Sequence, residues 1–263
     1  MAKERADVLL VNKELANSRE KAKRLIMSGE VFIGTQRVEK PGQLIDVEED
    51  ITIKSNSLKY VSRGGYKLEK AIELYEIDLK DAICVDIGAS TGGFTQCMLM
   101  NGAKKVYAID VGYNQLDYSL RIDERVVSME KTNIRTFDTS RISDLIDFIS
   151  IDVSFISLEL VIPKAAELLK KGGKIVALIK PQFEAGREKV GKKGIVRDKS
   201  VHREVIEKIL LLSKKLELRV LGLTISPITG MTGNKEFLIL LEKSNLSNVE
   251  VNIDSVIEES VDK

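Results

Sequence analysis

The stretch Ile83-Cys84-Val85-Asp86-Ile87-Gly88-Ala89-Ser90-Thr91-Gly92-Gly93-Phe94 decides the fold. Its first five residues form a short apolar run suited to a buried strand, and the glycines after them mark a turn into a helix that begins near Phe94. Glycines at such a turn let the backbone come close to a ligand. The spacing departs from Gly-x-Gly-x-x-Gly, and a carboxylate at Asp86 would repel a pyrophosphate. S-adenosylmethionine carries an ammonium and a sulfonium but no phosphate, so electrostatics favour the methyl donor over NAD. On this reading Asp86, Gly88, Ser90, Gly92, Gly93 and Phe94 hold the donor.

The rhythm around this stretch is that of a doubly wound α/β fold, in which a buried strand, a turn and an amphipathic helix repeat. Strands are predicted near 82–87, 105–110, 125–129, 148–152, 174–180, 218–225 and 236–242, a seven-stranded and mostly parallel sheet. Asp110 ends the second of these, about 20 residues after the glycine turn, where a carboxylate can accept from both ribose hydroxyls. Asn133 follows the third strand and either faces the adenine or is an ordinary turn residue.

Ligands in open α/β sheets bind outside the carboxyl ends of the strands. Asp152 and Lys180 close two strands there. Glu236 opens the last strand, and its start lies on the same edge if that strand is antiparallel. Lys67 begins the helix before the first strand, whose N-terminus reaches this edge too. Each residue taken alone is equally consistent with a solvated element end. Together they suit methylation of a ribose hydroxyl, which needs a base. A lysine serves as one when desolvation and a second cation favour its neutral amine. Lys180 is the candidate base. Lys67 would contact the reacting oxygen, Asp152 would both hold Lys180 and lie near the donor methyl as part of the cofactor site, and Glu236 would orient Lys67 or the ribose.

Ahead of this domain, residues 1–60 alternate quickly between short elements. Leu9, Leu10 and Leu15 suggest one helix, and Asn17-Ser18 caps a second whose apolar face is Ala22, Leu25 and Ile26 and which Gly29 ends. Short strands follow at Val31-Phe32-Ile33 and Asp50-Ile51-Thr52-Ile53, with turns at Gly34 and Pro41-Gly42. Arg19, Lys21, Lys23 and Arg24 cluster at the start of the second helix, where they would clamp a phosphate backbone or form a solvated face. The pattern Arg5-x-Asp7-x-x-Leu10, then Ser18-Arg19-x-x-Ala22-x-x-Leu25-Ile26-x-x-Gly29-x-Val31-x-Ile33 and Lys40-Pro41-Gly42, resembles the S4 RNA-binding domain.

The whole chain of 263 residues is 43% hydrophobic and 31% charged, which suits one α/β domain with a small companion and excludes global disorder. Its longest apolar runs are far shorter than the ~20 residues of a membrane helix, and the N-terminus is charged where a secretory signal is greasy. A cytoplasmic protein is expected. Cys84 and Cys97 fall on a buried strand and the next helix, as small core residues rather than a disulfide. The single histidine, His202, excludes metal sites built from several histidines and is expected on a helix surface. No metal is expected. The formal charge is only +1, but from 180 to 203 eight Lys or Arg stand against three acids, a net of +5. The tail at 244–263 has five acids against one lysine, a net of −4, and is expected to be loosely ordered.

Further motifs sharpen the likeness. Val61-Ser62-Arg63-Gly64-Gly65-Tyr66-Lys67-Leu68, the Asp86 stretch, Asp110-Val111-Gly112-Tyr113, Asp152-Val153-Ser154-Phe155-Ile156-Ser157, Lys180-Pro181-Gln182-Phe183-Glu184 and Lys235-Glu236-Phe237 together resemble the TlyA family. Its members carry the names haemolysin and ribosomal RNA methyltransferase. The resemblance runs over about residues 5–242 and implies an S4 domain at 1–60 and an FtsJ-like Rossmann methyltransferase domain at 61–243; the acidic tail at 244–263 departs from the family pattern. It further implies cytidine 2′-O-methylation of ribosomal RNA, with Lys67, Asp152, Lys180 and Glu236 as the catalytic set and S-adenosylmethionine as cofactor. The implied RNA contacts are Arg5, Arg19, Lys21, Lys23, Arg24 and Arg63, and the partner is a ribosomal subunit. Two other readings stand beside it, a non-catalytic S4-type RNA-binding protein with a cofactor-sensing domain, and a membrane-lytic haemolysin.

Overall fold

The computed structural model describes residues 3–53, 59–230 and 232–259, which fall into two units, 1–58 and 59–263. The last four residues of the expected tail lie outside the described residues.

In the first unit, β1 (Lys3–Arg5) leads into α1 (Ala6–Asn12) and α2 (Arg19–Met27). Four short strands follow, β2 (Val31–Ile33), β3 (Gln36–Arg37), β4 (Leu44–Asp46) and β5 (Ile51–Ile53). Ser18 starts α2 as its side chain accepts from Lys21 N at 3.2 Å, satisfying one of the free amides of a helix start. Leu9, Leu10, Ala22, Ile26, Val31, Val38, Ile45 and Ile51 close into one small core. β3, β2 and β5 form an antiparallel sheet, while β1 pairs with β4 in a second. The charged run Lys3-Glu4-Arg5 gives no strand signal in the sequence, and its pairing comes from the partner strand.

The second unit contains α3 (Gly64–Leu74), β6 (Ile83–Ile87), α4 (Gly93–Met100), β7 (Lys105–Ile109), α5 (Tyr118–Arg121), β8 (Val126–Met129), β9 (Ile146–Ile151) and α6 (Ile162–Leu168). It continues with β10 (Leu169–Ile179), α7 (Pro181–Glu184), α8 (Lys199–Lys215), β11 (Leu218–Ile225), β12 (Phe237–Lys243) and α9 (Ile253–Glu258). The seven strands lie in the order β11-β12-β10-β9-β6-β7-β8, with β12 antiparallel to both neighbours and the rest parallel. Alternate residues feed opposite faces. Ile175, Ala177 and Ile179 of β10 join a core with α6 and α8, whereas Val176 and Leu178 join one with α3 and α4. Each fully buried aliphatic side chain contributes on the order of 2 kcal/mol to holding these layers together.

From β6 the chain winds one way through β7 and β8, then returns to the other side of β6 to add β9 and β10. The switch point therefore lies between β6 and β9, paired through Ile87 and Ile151. The crevice beyond their carboxyl ends is where this topology binds ligands.

Two expectations are corrected. His202 is buried at 3% exposure on the inner face of α8, with Nε2 3.1 Å from Val196 O and its ring edge-on to Phe237. Burial lowers its pKa from the ordinary 6.5. As far as residue 259 the acidic tail packs onto the domain instead of hanging loose. Val249 N donates to Val220 O at 2.9 Å, α9 buries Val256 and Ile257, and Glu258 and Asp254 pair with Lys199 and Arg203 of α8. Cys84 and Cys97 are buried free thiols, as their positions suggested. No helix among the described residues is long and apolar enough to cross a membrane.

Candidate active site

At the switch point a cavity of about 660 Å³ opens between the glycine turn after β6, the N-terminus of α3 and the strand ends of β9, β10 and β12. Gly88 has φ +85°, and a Cβ there would collide with the carbonyl oxygen of Asp152. Only glycine relieves both the backbone conformation and the contact. Gly93 is similarly closed, with Ser62 Oγ and Gly65 N where a Cβ would stand. The turn is thereby pressed against the start of α3 on one side and against Asp152 on the other. Residues 88–91, Gly93 and Phe94 line the cavity.

Four charged side chains meet on one wall. Lys67 Nζ donates to Glu236 Oε2 at 2.6 Å and lies 4.0 Å from Asp152 Oδ2. Lys180 Nζ lies 2.6 Å from Asp152 Oδ1 as an ion pair without a hydrogen bond to that oxygen, and donates to Ser154 Oγ at 3.0 Å. Lys67, Lys180 and Glu236 are each at most 8% exposed. The placement follows from pairing. Ile179 of β10 stands opposite Phe237 of the antiparallel β12, so the residues just beyond, Lys180 and Glu236, share one sheet edge. Asp152 reaches the same edge from the parallel β9, and its amide donates to Ile87 O at 3.0 Å. Each lysine has a carboxylate beside it, so no member of the cluster stands as an isolated charge.

Other expected cofactor residues lie elsewhere. Asp86 is fully covered beneath the turn, where Oδ2 accepts from Thr95 Oγ1 at 2.7 Å and Oδ1 from Ser150 Oγ at 3.0 Å. Burial pushes its pKa from 3.8 up to about 6, and the two hydroxyls only partly oppose this. It ties β6 to α4 and β9 and does not line the cavity. Gly92, buried with φ +96°, is likewise outside the lining and caps α4. Asp110 accepts from Ser90 N at 2.8 Å and Gly112 N at 2.7 Å, bracing the turn from outside the lining while each oxygen keeps a second lone pair. Asn133 is exposed and caps its own short turn by accepting from Arg135 N at 3.0 Å.

The sequence reading missed several lining residues, among them Ser62, Ser154, Phe155, Gln182, Phe183 and Ile228. Phe155 is 91% exposed, with its ring 5.0 Å from that of Phe183. The Gln182 amide oxygen is buried with no hydrogen-bond partner among the described residues.

Among the expected RNA contacts, Arg63 is exposed and lines the cavity, while Lys21, Lys23 and Arg24 stand exposed along α2 of the first unit. Arg5 and Arg19 are held by a buried carboxylate. Asp7 accepts from Arg5 at 3.0 and 3.2 Å and from Arg19 at 2.9 Å. The Arg5 hydrogen bond, outweighing burial with help from Arg19, lowers the Asp7 pKa from 3.8 to about 2.

The cavity volume and its few convergent polar groups suit a nucleoside-sized ligand. Gly88 and Gly93, having no side chain, line the cavity with backbone alone and let a ligand approach the turn closely, so the residues fit S-adenosylmethionine.

Comparison with known proteins bears on the same regions. Residues 60–243 match the FtsJ-like methyltransferase family, and residues 4–51 match the S4 domain. A Bacillus subtilis protein provisionally called the rRNA methyltransferase YqxC is 55% identical over 240 residues, covering 91% of this chain and 85% of its own. The 16S/23S rRNA (cytidine-2′-O)-methyltransferase TlyA of Mycobacterium tuberculosis is 39% identical over 238 residues, 90% of this chain and 89% of its own. A solved Streptococcus thermophilus protein, provisionally called a hemolysin, superposes with a TM-score of 0.74 at 49% identity, covering 98% of this chain and 95% of that one.

Proposed function

The chain belongs to the FtsJ-like methyltransferase family and carries an S4 domain, and we propose that it transfers the methyl group of S-adenosylmethionine to the ribose 2′-hydroxyl of a cytidine in ribosomal RNA. The observation that carries this reading is the paired Lys67–Glu236 and Asp152–Lys180 cluster on the wall of the cavity beside the glycine turn. Relatives named as ribosomal RNA methyltransferases, one of them a cytidine-2′-O enzyme, support the substrate.

S-adenosylmethionine, when bound, supplies a methyl group activated for attack by an oxygen. The protein has to bind it, place the hydroxyl and take the proton. Gly88, Ser90 and Gly93 offer backbone for the donor. Lys180 Nζ, as the neutral amine, receives the proton that the hydroxyl loses as its oxygen takes the methyl, and Asp152 and Ser154 hold that nitrogen in place. Lys67, fixed by Glu236, presents its ammonium to the reacting oxygen. Phe155 and Phe183 give an aromatic shelf at the mouth on which a base lifted out of its helix can stack. In the first unit, the exposed cations of α2 add phosphate contacts that any RNA sequence satisfies.

Incubating ribosomal subunits with methyl-tritiated S-adenosylmethionine and digesting the RNA to nucleosides tests the reading. Label is expected in 2′-O-methylcytidine. Label in a base-methylated nucleoside, or in none, would overturn it.

A further inference from the structure

Glu184 is a buried carboxylate with no part in the chemistry above. It ends α7, the short helix that begins at Pro181 immediately after Lys180, and is 8% exposed. Its Oε1 accepts from Leu158 N at 2.8 Å and its Oε2 from Ser157 Oγ at 2.6 Å. Its cationic neighbour Lys208 lies 3.8 Å away and is paired more closely with Glu159, at 2.6 Å. Burial raises the pKa of Glu184 from the ordinary 4.5, with the Leu158 and Ser157 bonds pulling against it.

Those two bonds reach the far end of the loop that starts at Asp152. The near end is fixed by the Asp152 amide on Ile87 O and by Gly88 against the Asp152 carbonyl. Between the two fixed points lie Asp152, Ser154 and Phe155, whose counterparts across the gap are Lys180, again Lys180, and Phe183. Phe155 takes φ +63°, a left-handed conformation that a bulky residue adopts only when its surroundings impose it, yet it is almost wholly exposed. Burial of its own ring does not hold it there. The Glu184 carboxylate joins the end of this loop to the helix that Lys180 begins, and so fixes the separation of the two strand-end segments that carry the cluster.

We propose that Glu184 is a positioning residue for methyl transfer, clamping the 152–158 loop to the helix after Lys180 so that Asp152, Ser154 and Lys180 keep their contacts and Phe155 stays projected at the mouth. The catalytic consequence rests on the reading given under Proposed function, whereas the clamp itself is independent of it.

The test uses the full-length protein in three forms: unchanged, Glu184→Ala and Glu184→Gln. Methyl transfer to ribosomal subunits is measured at varied S-adenosylmethionine, since small displacements at a reacting centre cost rate more than affinity. Glu184→Ala is expected to lower kcat by tenfold or more while KM for S-adenosylmethionine changes less than about threefold. Glu184→Gln keeps an acceptor for Leu158 N and can donate to the Ser157 hydroxyl, and is expected to recover most of kcat. The chain has no tryptophan, so Phe155→Trp supplies a reporter in the same three backgrounds. Its fluorescence anisotropy should fall in the Glu184→Ala background and return with Glu184→Gln. Unchanged anisotropy, or kcat and S-adenosylmethionine affinity lost equally without rescue by Gln, would overturn the proposal. If the unchanged protein transfers no methyl to ribose, the function reading fails, and the anisotropy still decides the clamp.

Discussion

Replacing Asp86 with asparagine should stabilise the protein at neutral pH, although the residue lies at the centre of the most diagnostic stretch of the chain. The carboxylate is fully buried and its pKa rises from 3.8 to about 6, with burial as the main cause. A raised carboxyl pKa means that ionisation is harder in the fold than in the unfolded chain. The stability associated with the neutral form is complete below pH 3.8 and is lost as the pH rises through about 6. The whole difference corresponds to about 3 kcal/mol at neutral pH. Asparagine removes that cost and can still bond both hydroxyls, with its oxygen accepting from one and its amide donating to the other. Some of the gain is offset because bonds to an ionised acceptor are the stronger kind, so an increase of about 1–3 kcal/mol is expected. Urea unfolding of both proteins at pH 4.5, 5.5 and 7.0 isolates the effect, because every other titrating group is common to the two. The difference in unfolding free energy should grow in favour of Asp86→Asn across that range. A difference that stays constant with pH, or that favours the wild type more as pH rises, would refute the burial argument. Because Asp86 does not line the cavity, affinity for S-adenosylhomocysteine, which lacks the sulfonium charge, should change less than about threefold, under 1 kcal/mol.

Two further outcomes follow from contacts outside the cavity. Removing residues 244–263 takes away the burial of Val256 and Ile257 and the ion pairs of α9 with α8, and should lower stability by about 3 kcal/mol or more; an unchanged guanidinium midpoint would mean that the tail does not pack. In the first unit the lowered Asp7 pKa contributes stability above pH 3.8 that is lost as pH falls toward 2, so Arg5→Ala should move acid unfolding of residues 3–53 to higher pH, read by amide hydrogen exchange between pH 2 and 5. An identical acid transition in the two proteins would contradict it.

The seven strands and the convergence of Lys67, Asp152, Lys180 and Glu236 could be read from the chain, because strand-end residues in a doubly wound sheet have one edge to go to. The direction of a side chain at that edge was not readable in the same way. Asp86 ends a strand just as Asp152 does, but its oxygens turn inward to Thr95 and Ser150, and nothing in the glycine turn announces those two hydroxyls. His202 was misplaced for a different reason. Its neighbours Lys199 and Arg203 look solvated, yet Val201, Val205, Ile206 and Ile209 recur at helical spacing and carry His202 into their stripe. Val256 and Ile257, adjacent in an acidic run, were the corresponding signal for α9. Phe155 left no such trace, since an apolar residue beside a strand end is expected inside, and its exposure follows from a backbone conformation the sequence does not encode locally.

The measurement closest to the central claim compares ribose methylation of ribosomal RNA, mapped by mass spectrometry, after reaction with the wild-type protein and with Lys180→Ala, alongside calorimetric binding of S-adenosylhomocysteine. Loss of a general base lowers the rate by about 10²–10⁴-fold. Wild-type protein is expected to yield a 2′-O-methylated cytidine that Lys180→Ala fails to produce at matched times, with cofactor affinity retained. Equal methylation by the two proteins would contradict the assignment of Lys180 as the base and with it the chemistry derived for the cavity.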